Sequence, residues 1–410
     1  MIVQNFKPGY NFFGNIFFAL ALIPWVNFGL NDLDSQPWSF IFSIIFLFSL
    51  KKIILPKHSI DILILIIFGL LFTTAMTNTI NFNVPRAVVS YLTIPLMYIA
   101  FYNYFVRYGF PLKLFIIFNF LWIVFGILQL FIPDILDLVS KSRTSSTRGT
   151  TSLANEATDF GIYLFFSSLI LIESKKFIVN NKLKILLLIN FFSVLILAKS
   201  VMVIFFYILC IFFLFIHKVS NIIFYIKNSI KELRNFLILT LIIFIIVLFI
   251  KDFLTGTRVS YYINILTSSV FDLMLIFEIL IKDWSINSRV ESLYFSYVGS
   301  IKNYLLPGGL DSFIEMRKEI INSMQNEIFY NRYESTNIMS WSGAFIYELG
   351  LFGVISISLF FKSISRNFRG SNLYALLLFM ILLSAIPVSF PMVPMLFSLI
   401  VYNEKFRNLE

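Results

Sequence analysis

Apolar runs separated by short polar breaks recur along nearly all of the 410 residues. Some 18 to 20 consecutive apolar residues are roughly what a bilayer-crossing helix needs. The pattern predicts helices near Phe12–Gly29, Trp38–Leu50, Ile60–Met76, Val84–Val106, Leu112–Ile132, Leu153–Ile172, Leu183–Ala198, Val201–Ile216 and Phe236–Ile250. Three more, Gly343–Phe361, Leu373–Ile386 and Met392–Val401, follow a long interruption. The expected fold class is therefore an all-α polytopic membrane protein with about 12 transmembrane helices and one large outer loop between helices 9 and 10. Three regions result: residues 1–250 with helices 1–9, residues 251–342 as a cap with amphipathic helices, and residues 343–410 with helices 10–12 and a tail.

The interruption has a charge density that the rest of the chain lacks. Within it, Val270 to Ile281 is apolar but carries Asp272 and Glu278, and reads as an interfacial or re-entrant helix. Pro307, Gly308 and Gly309 form a turn signal. A polar helix follows from Leu310 to about Phe329.

Composition agrees with the apolar pattern: 59% of residues are hydrophobic and 13% charged, against roughly a quarter charged in soluble domains. The net charge of +10 is read as topogenic, because the basic stretches around Lys51, Arg107, Lys175, Lys227 and Arg366 fall in alternate loops. That arrangement places both termini in the cytoplasm and the 251–342 segment outside, and leaves no reason to expect a nucleic-acid partner. The first apolar run lacks a small-residue cleavage site and is expected to stay as a helix. Cys210, the single cysteine, reads as a small buried hydrophobe. His58 and His217 both fall on the inner side, so no metal is expected at an outer site. No phosphate-binding loop or dinucleotide fingerprint is present, and no cofactor is implied.

Basic residues on the outer side oppose the insertion bias and call for a reason. Arg86, Arg143, Arg148 and Arg289 are the leading ones. Arg143 and Arg148 sit among small hydroxyl residues ahead of a helix start, an arrangement suited to phosphate. Plainer readings stand beside this one: headgroup contact for Arg143 and Arg148, snorkelling for Arg86, and a pair with Asp283 or Glu291 for Arg289. Among the acids, Glu156 and Asp159 share a helical face, and Glu348 lies in an otherwise apolar stretch beside Gly350 and Gly353. Such carboxyls either partner arginines or serve function.

The layout resembles the O-antigen polymerase and ligase superfamily of membrane glycosyltransferases. The stretches that carry the likeness are RGTTSLANEATDFGIYL, DWSINSRVESLYFSYVGSIKNYLLPGG and STNIMSWSGAFIYELGLFGVI. The ligase branch has a histidine where this chain reads Ser335, Thr336 and Asn337, so the polymerase branch is the nearer likeness. The resemblance implies a GT-C-like fold with a periplasmic cap, in a multi-pass protein of the bacterial inner membrane. It implies polymerisation of undecaprenyl-diphosphate-linked repeat units into O-antigen or capsule-type polysaccharide, as in lipopolysaccharide biosynthesis, by metal-independent glycosyl transfer. The partners would be that lipid-linked donor and acceptor, membrane lipids and a chain-length regulator. Arg86, Arg143, Arg148, Arg289 and Asn337 would bind the diphosphate, Arg148 and Arg289 would also stabilise the leaving group, and Glu156 or Glu348 would act as base. A flippase or other polysaccharide transporter is the alternative from another class, and the ligase a third.

Overall fold

The computed structural model describes residues 11–27, 36–76, 83–133, 149–175, 178–222, 284–324, 338–365, 372–384 and 386–407. Helices account for nearly all of them: α1 (Phe12–Ala21), α2 (Trp38–Ser49), α3 (Ser59–Met76), α4 (Asn83–Tyr108), α5 (Leu112–Phe131), α6 (Ala157–Glu173), α7 (Asn180–Ser193) and α8 (Val201–Ile222). After residue 283 come α9 (Trp284–Lys302), α10 (Phe313–Met324), α11 (Trp341–Glu348), α12 (Leu351–Ser365), α13 (Asn372–Leu382) and α14 (Met392–Arg407).

Local chemistry sets the ends. The Asn11 side chain accepts from the Gly14 amide and caps α1, and Ser340 does the same for α11 through Gly343. Pro37 and Pro111 stand immediately before α2 and α5, where a missing amide costs nothing. At the end of α7 the backbone widens into a π-turn over Val194–Ala198, and Lys199 then reverses the chain in the left-handed region.

Among the described residues the larger apolar core takes residues from α1 through α14. At its middle α14 packs on α4 and α6, with α1 on α2, α2 and α3 on α4, α12 on α3, and α13 on α8. Trp122 of α5 stacks on Tyr163 of α6, with ring centroids 4.2 Å apart, and donates its indole N–H to the Leu22 carbonyl at 2.9 Å. α9 and α10 form a smaller unit around Phe295, Phe313, Ile320 and Tyr347, docked on α11.

Helix length corrects the expected architecture. Among the described residues only Val84–Tyr108, Leu112–Phe131 and Asn181–Ala198 are long and apolar enough to cross a membrane. Several other apolar helices are shorter: Phe12–Ala21 has 10 residues and rises about 15 Å, half of a typical hydrocarbon thickness. The expected Gly343–Phe361 span is two helices, α11 and α12, broken at Leu349 and Gly350. The fold of about 12 transmembrane helices, GT-C-like, is thus overturned.

The readings that needed that fold are overturned with it. They are the resemblance to the O-antigen polymerase and ligase superfamily, the polymerisation of undecaprenyl-diphosphate-linked units with its transporter and ligase alternatives, the lipid-linked donor, membrane-lipid and regulator partners, and the multi-pass inner-membrane placement. The expected Phe236–Ile250 helix lies outside the described residues, as do residues 251–283 and 325–337 of the expected cap.

Candidate functional site

The break between α11 and α12 is where the structure concentrates polar contacts on one stretch of backbone. A helix leaves its last carbonyls without intrahelical partners. Those of α11 are taken up one after another from outside: Ile346 by the Ser300 hydroxyl at 3.1 Å, Tyr347 by the Gly308 amide at 2.8 Å, and Glu348 by the Thr73 hydroxyl at 2.6 Å. Just past the break, the Leu351 amide donates to the Leu305 carbonyl at 2.7 Å. The break is therefore gripped by α3 on one side and by the α9–α10 connection on the other.

Glycine is required at both faces of this grip. Gly350 has φ +57, and a Cβ there would lie 2.4 Å from the Leu305 carbonyl oxygen. A Cβ on Gly308 would lie 2.5 Å from the Tyr347 ring. Neither approach is compatible with any side chain.

α11 reaches this position through α9. Ser288, Ser292, Ser296 and Ser300 recur every four residues along α9, and all four are buried. Their small side chains give α11 a close seat, and the Ser292 hydroxyl accepts from the Met339 amide at 2.8 Å just before it.

Glu348 ends α11, and its carboxyl Oε2 accepts from the Tyr91 hydroxyl of α4 at 2.5 Å. The Tyr91 ring in turn stands edge-on to Phe345, with centroids 5.1 Å apart. Burial, foremost, lifts the Glu348 carboxyl from its ordinary 4.5 to about 7; the Asp311 charge adds to the rise and the Tyr91 hydrogen bond opposes it. A helix C-terminus is also the unfavourable end for an anion.

Next to it, Tyr347 points toward the start of α10, its hydroxyl 3.0 Å from that of Ser312 just before the helix. Burial pushes this phenol up to about 12. Adjacent residues thus face opposite ways, Glu348 toward α4 and Tyr347 toward α10.

The remaining expected site residues lie elsewhere. Arg86 is exposed in the first turn of α4. Glu156 is the half-buried extended residue before α6, with Asp159 in the first turn behind it. It follows a buried segment, Thr150 to Asn155, that Gln129 pins by accepting from the Thr151 and Ser152 amides at 2.7 and 2.9 Å. Arg289 is half-buried on α9. Glu291, one of the acids weighed as its partner, is held by Arg317 of α10, whose Nε donates to Oε1 at 2.6 Å and whose Nη2 also contacts that oxygen. Arg143, Arg148 and Asn337 lie outside the described residues.

Sequence reasoning passed over Tyr91, Thr73 and Asp311. Tyr91 is one of 19 tyrosines and 51 phenylalanines, so an aromatic at that spacing carries no signal of its own. Among the described residues no three His, Cys, Asp or Glu side chains converge in a way that could hold a metal ion.

No family model matches the chain, and neither a curated protein nor a solved structure matches it.

Proposed function

We propose that the chain is a group-transfer enzyme, specifically a glycosyltransferase, in which Glu348 is the general base for an acceptor hydroxyl. The observation that carries the reading is a carboxyl held at a helix break with its pKa raised to about 7 and one oxygen engaged by Tyr91. General-base catalysis is most effective when the base titrates near the working pH. A carboxylate at its ordinary value is too weak a base for this at neutrality.

Tyr91 donates to Oε2, so in this reading the proton goes to Oε1. In the transfer step the acceptor hydroxyl gives its proton to Oε1 while its oxygen bonds to the anomeric carbon. The bond from that carbon to the leaving group breaks, and the leaving group departs with the electron pair. An activated sugar supplies its own good leaving group, so deprotonation of the acceptor is the part the protein must provide.

The test incubates the purified full chain with radiolabelled activated sugars and a panel of hydroxyl acceptors. Transfer should rise with pH through about 7 as Glu348 ionises. Glu348→Gln should slow it by roughly 10²- to 10⁴-fold. Undiminished transfer in Glu348→Gln would remove the reading.

A further inference from the structure

The α9–α10 unit contains a buried ion pair that no step above uses. Arg317 and Glu291 are 2% and 3% exposed, joined by two contacts to the same oxygen, and they tie the middle of α10 to the first half of α9. Breaking such a pair on one side leaves an uncompensated buried charge, so the two helices separate only at a large cost.

The connection between these helices is the element that grips the break. It supplies the Leu305 carbonyl, the Gly308 amide and the Ser312 hydroxyl, the last two both meeting Tyr347. It also carries Asp311, whose charge acts on Glu348. Its backbone is held in a tight course, with Tyr304, Leu305, Asp311 and Gly309 all at positive φ. Non-glycine residues adopt that region only where surrounding contacts enforce it.

We propose that Glu291 and Arg317 are positioning residues for Glu348: their ion pair holds the α9–α10 connection against the α11–α12 break, and so keeps the carboxyl shielded from water. This rests on the reading of Glu348 as the base. Among the described residues, the Tyr91 hydroxyl of α4 donates to Glu348 and the Asp311 charge of the connection acts on it. Beside it, the charges of Glu315 and Glu319 on α10 act on Tyr347.

The experiment follows Glu348 itself by infrared titration of the full chain, its protonated-carboxyl band identified by the band's loss in Glu348→Gln. Arg317→Met should lower the midpoint by about one pH unit, because water reaches the carboxyl and Asp311 moves away. The exchanged pair, Glu291→Arg with Arg317→Glu, should restore the midpoint toward the wild-type value. Asn119→Ala, which loosens a separate part of the core, should leave it in place. A folded Arg317→Met protein that titrates as wild type overturns the proposal. Where Arg317→Met does not fold, Glu291→Gln, which keeps the side chain's shape but removes its charge, decides: a lowered midpoint supports the proposal and an unchanged one overturns it. The readout needs no substrate, so an unmoved midpoint with Glu348-dependent transfer sinks the positioning role alone. A moved midpoint without such transfer sinks the enzymatic reading alone.

Discussion

Two of the polar clusters among the described residues differ in one respect that matters. Between α5, α6, α7 and α8, Asn119 donates to Asn190 at 2.8 Å, and the Ser167 hydroxyl donates to Asn119 at 2.5 Å. Asn190 donates to Ser168 at 3.1 Å, and Ser168 meets the Tyr207 hydroxyl at 2.8 Å. Every member is an amide or a hydroxyl. At the α11–α12 break the same kind of buried hydrogen bonding surrounds a carboxyl instead. The first cluster has one protonation state over the ordinary pH range and can only hold helices in register. The second has two states of similar free energy near neutrality, which is what proton transfer requires. Buried polarity alone is therefore a packing device, and an ionisable member makes it a candidate for chemistry.

The comparison breaks most visibly at Glu348. Replacement by Gln keeps the shape and much of the hydrogen bonding but removes the second protonation state. A transfer rate lower by about 10²- to 10⁴-fold corresponds to roughly 3 to 5 kcal/mol of lost transition-state stabilisation. The rate should also lose its rise through pH 7. Asn119→Ala should do neither.

Next in size is stability against pH. Glu348 has its folded pKa raised from 4.5 to about 7, so between those values the folded state binds more protons than the unfolded one. Stability is then fully present below pH 4.5 and is lost as pH rises through about 7. At about 1.4 kcal/mol per unit the total is on the order of 3 kcal/mol. Thermal unfolding of wild type and Glu348→Gln from pH 4 to 8 should show that slope in the first and not in the second. Equal slopes would mean the carboxyl is hydrated like an ordinary surface group.

Asn119→Ala comes third. It strands the Ser167 hydroxyl and an Asn190 acceptor in the core, at a cost of about 1 to 3 kcal/mol in unfolding free energy. Denaturant titration at two pH values should return the same loss at both. A loss that depends on pH would show that the neutral cluster is coupled to an ionisable group after all.

The same contrast explains what could be read from the chain alone. The Trp38–Ser49 and Leu112–Phe131 helices begin after prolines and end where polar or extended residues intervene, so local pattern was enough to place them. Pattern could not say what covers an apolar helix face. Runs counted as membrane crossings include helices as short as Phe12–Ala21, whose Phe17 and Phe18 are buried against Phe101 of α4. The expected helix from Leu153 starts instead at Ala157, because Gln129, more than 20 residues earlier, holds Thr151 and Ser152 in a buried loop. Gly350 read as a small residue for helix packing, whereas it ends a helix in the left-handed region under the Leu305 carbonyl, 45 positions away. Glu348 stood out as a carboxyl in an apolar stretch. Its partners Tyr91 and Thr73 are 257 and 275 positions away and carry no local mark.

The smallest expected effect, and the one that tests the carboxyl's surroundings most directly, is Tyr91→Phe. The phenol donates to Oε2 and so favours the charged form of Glu348, opposing the rise that burial and Asp311 produce. Removing it should raise the infrared midpoint above about 7, by up to about one unit if the bond contributes the ~1 kcal/mol of a typical hydrogen bond. This is opposite in sign to Arg317→Met, which opens the site to water. Because both variants remove one contact near the same carboxyl, a general loosening would move the two midpoints the same way. Opposite shifts require that Tyr91 act on the charge and that the α9–α10 unit act on its hydration.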